Sequence, residues 1–460
     1  MLTRKVWPSV LVVVFVGSVA VVVQGKDAIP QTDSTGKKSE TSEKPAQSDS
    51  RKTVKPKELS DGVKRGLAYL VGQQHENGGF GQGGGWRSQS EGSGNRVEGK
   101  DVKDPPDVGN TCMAALALIR AGNTPKEGTY SKQLIKAIDF VETYVESSDK
   151  DSLYVTPIRD TQLQSKIGRY VDTFLTALVL SELKGQMSDK KSEDRLFAAL
   201  NKTIGKIESN QQVDGTFAGN AGWASVLSQG LCSKALSRAS QKGIAVKSET
   251  IKRDLEQTVA QLDPSKAASP TAVAGSPGLS LVARSSGGAG GVGKSDAGVQ
   301  LYSLSANGSR VQDTVNGNII RKKNAEVVLN SPTADDKTKD VARSELKDVA
   351  AAEVANGEAG KQLAANLESP AFLRGFGNNG GEEFLSFMNI SETLRAQGGD
   401  AWEKWDRQVC DSITRIQNED GSWSGHHCIT GRTFCTASAL LTMMADRAPV
   451  PVAETKPQNK

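Results

Sequence analysis

Three copies of one short phrase constrain the fold of this chain more than any other feature. They are Gln74-His-Glu-Asn-Gly78-Gly-Phe80, Gln211-Gln-Val-Asp-Gly215-Thr-Phe217 and Gln417-Asn-Glu-Asp-Gly421-Ser-Trp423. Each reads glutamine, three residues, glycine, one residue and an aromatic residue. The glutamines are 137 and 206 residues apart, two and three multiples of about 69. A fixed period predicts a repeat architecture, here of six units beginning near residues 58, 130, 195, 250, 340 and 400.

Hydrophobic periodicity predicts that these units are helical. Apolar residues recur at helical spacing before each phrase, as Leu59, Val63 and Leu67 do before the first. Glycine then ends the helix, because it accepts the left-handed backbone conformation found at helix ends. A helix that is apolar all round is buried on all sides. We therefore expect an all-α chain with amphipathic outer helices and more apolar inner helices, the latter at 108–119, 170–183, 222–236, 382–394 and 433–444.

The N-terminal residues 1–25 have the layout of a secretory signal peptide. Arg4 and Lys5 precede an apolar run at 10–23, and small residues follow near Ala20. The run is short for a membrane-spanning helix, which needs about 20 apolar residues, but an uncleaved anchor remains an alternative. The sequence therefore predicts an extracytoplasmic protein, periplasmic or secreted. It would be attached to a membrane only through this segment, if the segment is not cleaved.

Composition divides the remainder of the chain. Residues 26–57 are polar and predict a disordered linker, and residues 448–460 predict a disordered tail. The repeats occupy residues 58–447 as one domain. Within it, residues 263–297 are rich in Ala, Ser, Gly and Pro and predict a low-complexity excursion. The inner helix of this degenerate fourth unit is expected at 296–304.

Charge and cysteine content exclude two classes of protein. The net charge is only +4, and 57 basic residues are dispersed among 53 acidic ones, so the chain lacks the basic stripe that nucleic acid binding requires. Five widely spaced cysteines are not a disulfide scaffold, and at most one or two bridges are expected. The cysteines are Cys112, Cys232, Cys410, Cys428 and Cys435.

The repeated phrase resembles the Gln-Trp repeat of squalene–hopene and oxidosqualene cyclases, which protein prenyltransferase β subunits share more loosely. The resemblance covers about residues 58–447 and implies an (α/α)6 toroid, in which six helical hairpins close into a ring around a central cavity. In this superfamily the glutamine and the aromatic residue tie neighbouring hairpins together and are not catalytic. Ring closure would also bring Cys112 near Cys428 or Cys435, where a disulfide could form.

The catalytic motifs of these enzymes are only partly retained. Class II cyclases protonate their substrate with the third letter of Asp-x-Asp-Asp-Thr. Gly109 takes that place in Asp107-Val-Gly-Asn-Thr111, and Val171 takes it in Arg169-Tyr-Val-Asp-Thr173. Neither side chain carries a transferable proton. The prenyltransferase zinc ligands, an Asp-x-Cys pair and a later histidine, are lost at Gly109 and Thr433. Cyclisation of squalene and prenyl transfer are therefore not expected, and no cofactor is implied.

Candidate site residues lie where outer helices lead into inner ones. Gly380-Gly-Glu-Glu383 resembles the Cys-Gly-Glu-Gln motif of thioester domains without its cysteine, and two of the three histidines are adjacent within residues 421–432. The alternative is that residues 421–432 only close the ring. A single metal ion could take two of three consecutive side chains at best. The metal-ligand candidates are His426, His427 and Cys428. The acid–base candidates are Asp107, Glu382, Glu383, His426 and His427.

Three functions remain open at this point. The first is an exported toroid that acts on or binds an isoprenoid or another apolar ligand in its central cavity. The second is a non-catalytic scaffold that binds a protein or a ligand in the cavity or at its rim. The third is an (α/α)6 carbohydrate-active hydrolase or lyase, which would need two carboxyl groups about 5–10 Å apart. Aromatic residues make up only 5% of the chain, which is few for a cavity that stabilises carbocations. The sequence does not decide whether the protein is an enzyme.

Overall fold

The computed structural model describes residues 54–86, 96–99, 101–262, 294–375 and 379–450. The predicted signal segment, most of the linker and most of the excursion lie outside these ranges. The described chain is mostly helical, which confirms the all-α class. Its four strands have two residues each and form two antiparallel ladders, β1 with β4 and β2 with β3. They are β1 Phe80–Gly81, β2 Gly85–Trp86, β3 Arg96–Val97 and β4 Pro106–Asp107.

Fourteen α-helices account for most of the described residues. A single 3-10 turn, Ala445–Arg447, follows the last of them. In chain order the helices are α1 Asp61–Gly72, α2 Val108–Arg120, α3 Ser131–Ser147, α4 Gln162–Ile167, α5 Val171–Leu183, α6 Lys190–Asn210, α7 Ser225–Gln241, α8 Ser248–Leu262, α9 Lys294–Asn330, α10 Asp336–Leu367, α11 Pro370–Leu373, α12 Gly381–Gln397, α13 Gly399–Arg415 and α14 Arg432–Met443.

Six helices form the interior: α2, α5, α7, α9, α12 and α14. Each packs against the next one in this series, and α14 also packs against α2. Burial extends all round these helices, except in the C-terminal part of α9, and every residue of α5 is buried. The other long helices bury only one face, as the periodicity of their apolar residues predicts. In α13 this face consists of Trp402, Trp405, Val409 and Ile413, together with Asp406.

The interior helices are not apolar all round, contrary to the sequence-based expectation. Nη1 of Arg120 lies 2.6 Å from Oε1 of Glu392, and Nη2 lies 3.1 Å from Oε1 of Glu182. Nζ of Lys234 lies 2.8 Å from Oε2 of Glu392 and 2.9 Å from Oδ2 of Asp313. Burial opposes ionisation of Glu392, but the charges of Lys234 and Arg120 outweigh it and hold the pKa of this carboxyl well below its usual range. Buried charges are tolerated here because each faces an opposite charge.

The glutamine of the repeated phrase joins its own loop to a neighbouring helix. Nε2 of Gln74 donates hydrogen bonds to the carbonyl of Gly78 in its own phrase, at 2.9 Å, and to that of Gln133 on α3, at 2.8 Å. The third copy reaches back to the first hairpin, because Nε2 of Gln417 donates to the carbonyl of Gly62 on α1 at 2.8 Å. The same clamp therefore serves neighbours in the chain and the two ends of the repeat region.

The glycine of each phrase is required by the same contact. Gly78, Gly215 and Gly421 have φ values of 89°, 80° and 89°, a region that side chains disfavour. A Cβ at Gly78 would also lie 2.2 Å from the carbonyl oxygen of Lys136 on α3. A Cβ at Gly421 would lie 2.7 Å from that of Arg65 on α1. Only glycine lets the phrase approach the neighbouring outer helix this closely.

Residues just outside the predicted boundaries of the repeats form hydrogen bonds with the helical part of the chain. The backbone N–H of Lys57, in the predicted linker, donates to Oδ2 of Asp446 at 2.6 Å. Nη1 of Arg238 on α7 donates to the carbonyl of Pro449, in the predicted tail, at 3.0 Å. These polar segments pack against the helices through hydrogen bonds, which composition does not reveal.

The interior helix of the fourth unit is much longer than predicted. The sequence places it at 296–304, whereas α9 has 37 residues. Polar residues continue after position 304, and the buried charges of Arg310 and Asp313 are paired with residues on other helices. Arg310 is fully buried, and its Nη2 lies 2.7 Å from Oδ1 of Asp254 on α8. The partner lies on another helix, so the local pattern did not show that the charge is compensated.

Candidate functional site

A cavity of about 720 Å³ lies where α2, α4 and the loop before α14 meet. Asp107, which the sequence identified as an acid–base candidate, and Cys428, a metal-ligand candidate, line this cavity. Trp86, which is 41% exposed, forms part of the wall. The polar side chains of the wall include Asp104, Asp107, Asp160, Gln162 and Lys166.

The two partial cyclase-like motifs meet beside this cavity. Asp107 caps α2: its Oδ1 accepts the backbone N–H of Asn110, and its Oδ2 accepts from the Asn110 side chain, both at 2.8 Å. Asp172, near the start of α5, accepts the backbone N–H of Gly109 at 2.8 Å. A Cβ at Gly109 would lie only 3.1 Å from Oδ1 of Asp172. The absence of a side chain at Gly109 thus allows a second aspartate to approach.

The two aspartates form a buried acidic pair. Burial, reinforced by the charge of Asp172, raises the pKa of Asp107 to about 7. Burial also raises the pKa of Asp172, although the hydrogen bond that Nε2 of Gln164 donates at 2.7 Å opposes this. A carboxyl group with a pKa near 7 can donate a proton at neutral pH. Asp107 is therefore the candidate acid of the cavity. The sequence showed Asp172 only as a motif remnant.

A second cluster lies at the start of α12 and contains three predicted candidates. One ligand-type atom each of Glu382, His427 and Cys428 lies within 4.8 Å of the other two. Oε2 of Glu382 accepts the backbone N–H of Ile429 at 3.1 Å. Burial and the neighbouring Glu383 raise the pKa of Glu382 to about 8, and burial raises the pKa of the Cys428 thiol to about 12. Cys428 also lines the cavity, so the cluster borders on it.

Glu383 lies next to this cluster and contacts His427. The hydroxyl of Tyr302 on α9 donates to its Oε1 at 2.6 Å, and the backbone N–H of Gly380 donates to its Oε2 at 2.9 Å. Nε2 of His427 lies 3.4 Å from the same Oε2. Burial, with the charge of Glu383, raises the pKa of Tyr302 far above its usual value, so the phenol remains a donor. Glu383 is thereby held in a position that orients the imidazole of His427.

Backbone geometry brings α12 and the loop before α14 together. A Cβ at Gly380 would lie 2.8 Å from Cε1 of His427, and one at Gly381 would lie 2.5 Å from Cγ2 of Ile429. The glycine pair that resembles a thioester motif therefore provides space for the loop. Cys428 has a φ of 51°, an uncommon conformation for a residue other than glycine. Such conformations are concentrated at functional sites.

His426 and Arg432 do not join the cluster. The side chain of His426 is exposed, and its backbone N–H donates to the carbonyl of Asn379 at 2.7 Å. Arg432 lies 2.7 Å from Oε2 of Glu98 and 2.5 Å from Oδ2 of Asp420. Its charge is neutralised by these two carboxylates.

The cysteines form no disulfide. All five are free thiols, including the three that ring closure was expected to bring together. Cys112 lies instead beside α5, where its Sγ is 3.7 Å from Oγ1 of Thr176.

Two residues at the site, Gln162 and Tyr302, were not predicted from the sequence. Gln162, in the cavity wall, accepts the backbone N–H groups of Thr430 and Gly431 through its Oε1, at 3.0 and 3.2 Å. It thereby joins α4 to the loop before α14, across 268 residues of the chain. Neither Gln162 nor Tyr302 lies in a recognisable motif. No signal in the sequence could have identified them, because their partners are remote in the chain.

Comparison of the chain with protein-family models, curated proteins and solved structures found no match. The resemblance to cyclase repeats therefore rests on the repeated phrase alone. Among the helices that the structure describes, none combines the length and the apolar character needed to cross a membrane.

Proposed function

We propose that this chain is an exported (α/α)6 toroid of the squalene cyclase and prenyltransferase repeat type, which binds a hydroxyl-rich ligand of the sugar class in the cavity beside Asp107. Three features support the toroid: six interior helices that pack in series, the contact between α14 and α2, and the clamp from Gln417 to α1. The N-terminal layout supports export.

The observation that carries the choice of ligand is the polar wall of the cavity. Carboxylates and amides such as Asp104, Asp160 and Gln162 pair with the hydroxyl groups of a sugar, because each hydroxyl both donates and accepts. The exposed indole of Trp86 offers a flat apolar surface for a sugar ring. An isoprenoid offers no polar atoms to this wall and would exclude water from it, which is unfavourable.

The cavity also has the groups for acid–base chemistry on such a ligand. Asp107 holds a transferable proton near neutral pH because burial raises its pKa to about 7. Asp104 and Asp160 line the same cavity and can act as the second carboxylate that glycoside hydrolysis requires. Binding is the primary proposal, and hydrolysis is its extension.

Thermal-shift and calorimetric titration of the full chain with sugars test the proposal. The panel comprises neutral and acidic mono- and oligosaccharides, with farnesol as the apolar comparison. A sugar present at 100 times its dissociation constant should stabilise the fold by about 2.7 kcal/mol. Trp86→Ala should abolish the shift. The matched control is Phe197→Ala on α6, an aromatic residue that is 44% exposed and does not line the cavity.

Three outcomes would contradict the proposal. One is stabilisation by farnesol and by no sugar, which would favour an apolar ligand. A second is an equal loss of binding in the two aromatic variants. A third is the absence of any shift across the sugar panel. Release of reducing ends by the wild type but not by Asp107→Asn would extend the function from binding to hydrolysis.

A further inference from the structure

We propose that Glu382, His427 and Cys428 bind one zinc ion beside the cavity, whose wall includes Cys428. The three side chains come from two segments that are remote in sequence, the start of α12 and the loop before α14. Their ligand atoms all lie within 4.8 Å of one another. This inference goes beyond the proposed function and does not depend on it, because metal binding can be measured without any cavity ligand.

The chemistry of the three donors selects the metal. Thiolate, imidazole and carboxylate are the donors that zinc uses in proteins. Calcium and magnesium take oxygen ligands and have little affinity for sulfur. One glutamate and one cysteine thiolate also balance the double positive charge of the ion. Sites with three protein ligands keep the fourth position of the tetrahedron for water or substrate.

The surroundings of Glu382 provide an independent indication of a cation. This carboxylate is fully buried. Its Oε1 accepts no hydrogen bond from an N–H or O–H group of the residues that the structure describes. Within the same residues, no lysine or arginine forms a salt bridge with it. A buried carboxylate without a counter-charge is costly, and such groups are paired or coordinate metals.

The next layer of residues has the arrangement found around metal-bound histidines. Nε2 of His427 faces Oε2 of Glu383 at 3.4 Å. In a carboxylate–histidine–zinc triad the carboxylate fixes the ring through one nitrogen while the other, Nδ1 in this case, coordinates the ion. Glu383 is itself held by the hydroxyl of Tyr302 and the backbone N–H of Gly380. The ring of His427 is thus oriented by a rigid support.

The backbone conformation explains why only two of the consecutive residues His426, His427 and Cys428 reach the cluster. The left-handed conformation of Cys428 turns the chain directly after His427, and both side chains reach the cluster. His426 is exposed and takes no part. Cys428 also lines the cavity, which supplies both a path of entry and an open coordination position.

Titration of the full chain with Zn²⁺ and Co²⁺, after treatment with a chelator, tests the proposal. We expect one equivalent of Zn²⁺ to bind. The Co²⁺ form should show a thiolate-to-metal charge-transfer band and the strong visible absorption of a tetrahedral site. Cys428→Ser should remove the charge-transfer band, and Glu382→Gln and His427→Gln should weaken binding further than Glu383→Gln. The expected loss for Glu383→Gln, which removes only the support of His427, is about 10- to 100-fold.

Two matched controls are available in the chain. His426→Gln removes the adjacent imidazole, and Cys410→Ser removes a partly exposed thiol on α13. Both should bind Zn²⁺ like the wild type. Less than half an equivalent of bound Zn²⁺ would overturn the proposal, as would a Co²⁺ spectrum without a thiolate band or an equal effect of Cys410→Ser and Cys428→Ser.

The measurements distinguish loss of metal binding from loss of folding and from loss of sugar binding. A variant of one of the three metal-ligand residues could fail to fold, which circular dichroism would show. In that case the Co²⁺ spectrum of the wild type still decides for or against a thiolate ligand. Trp86→Ala should bind Zn²⁺ normally even though it is expected to lose sugar binding. Failure of the sugar proposal and failure of the metal proposal are thereby distinguishable.

Discussion

Nη1 of Arg120 lies 2.6 Å from Oε1 of Glu392, so a buried ion pair joins α2 to α12 across 272 residues of the chain. The second carboxylate oxygen of Glu392 lies 2.8 Å from Nζ of Lys234 on α7. One glutamate thus connects three interior helices. Such a residue holds the interior helices in a defined arrangement. Its removal leaves Arg120 with Glu182 and Lys234 with Asp313, so that the buried cluster has one negative charge too few.

Loss of the charge at Glu392 should destabilise the protein strongly. We expect Glu392→Gln to lower the free energy of unfolding by about 3–5 kcal/mol, because breaking a buried pair leaves uncompensated charge. Urea denaturation followed by circular dichroism measures this. The control is Asp194→Asn, whose partner Lys190 is 86% exposed. That change should cost less than about 1 kcal/mol. Similar losses in the two variants would show that the buried network contributes little.

The raised pKa of Asp107 predicts a pH dependence of stability. The pKa is about 7 in the folded protein and 3.8 for the free side chain. Between these values the native state binds more protons than the unfolded state, so the contribution of Asp107 to stability falls as the pH rises from about 4 to 7. Asparagine caps helices as well as aspartate does but does not ionise. Asp107→Asn should therefore gain stability relative to the wild type as the pH rises.

The pH prediction is measured as a difference. Urea unfolding of both proteins at pH 5 and at pH 7.5 removes the contribution of all other ionising groups. A stability difference between variant and wild type that is the same at both pH values would contradict the assigned pKa. The control is Asp189→Asn at the start of α6, where Oδ1 of Asp189 accepts the backbone N–H of Ser192. This variant removes an exposed capping charge and should show no comparable gain in stability as the pH rises.

The glycine of the repeated phrase should not tolerate a side chain. Gly421→Ala would place a Cβ 2.7 Å from the carbonyl oxygen of Arg65, at a φ of 89°. We expect a loss of about 1–3 kcal/mol from the strained backbone. Gly205→Ala on α6 is the control, because no atom lies within 4 Å of its Cβ position. It should stabilise the protein by about 0.5–1 kcal/mol. Equal melting temperatures for the two variants would argue against the clamp.

All five cysteines should be recovered as free thiols. Peptide mapping under non-reducing conditions, after alkylation in denaturant, is expected to find each of them modified. Without denaturant the buried Cys112, Cys232 and Cys435 should react slowly, since burial raises the pKa of these thiols and shields them. Detection of a peptide that links Cys112 to Cys428 or Cys435 would contradict the structure.

Much of the helical organisation could be predicted from local sequence. Helical periodicity and glycine stops indicated an interior helix at 108–119, and the structure has α2 at Val108–Arg120. The role of Gln74 and Gln417 as clamps also followed from the repeated phrase, through the resemblance. The prediction for α9 was too short, because the charge of the buried Arg310 is compensated by Asp254 on another helix, which the local sequence does not show.

The candidate site could be predicted only in part. Asp107, Glu382, Glu383 and the two histidines were identified because they lie at the starts of interior helices or in an unusual loop. Which of the two histidines belongs to the site was not predictable. His427 reaches the cluster with Glu382, whereas His426 is exposed. The directions of adjacent side chains depend on the backbone dihedral angles of the loop, and these angles cannot be predicted from a single sequence.

The sequence by itself determined the helical class, because helices arise from interactions between residues that are near one another in the chain. The period is visible directly in the spacing of the repeated phrase. Only the tertiary structure decided which charges are paired and which carboxylates share a site. Asp107 and Asp172 approach each other through the gap at Gly109, and Glu392 meets Arg120 and Lys234 from separate helices. The pKa of a buried group depends on distances of a few ångströms to such partners, and those distances exist only after the helices have packed.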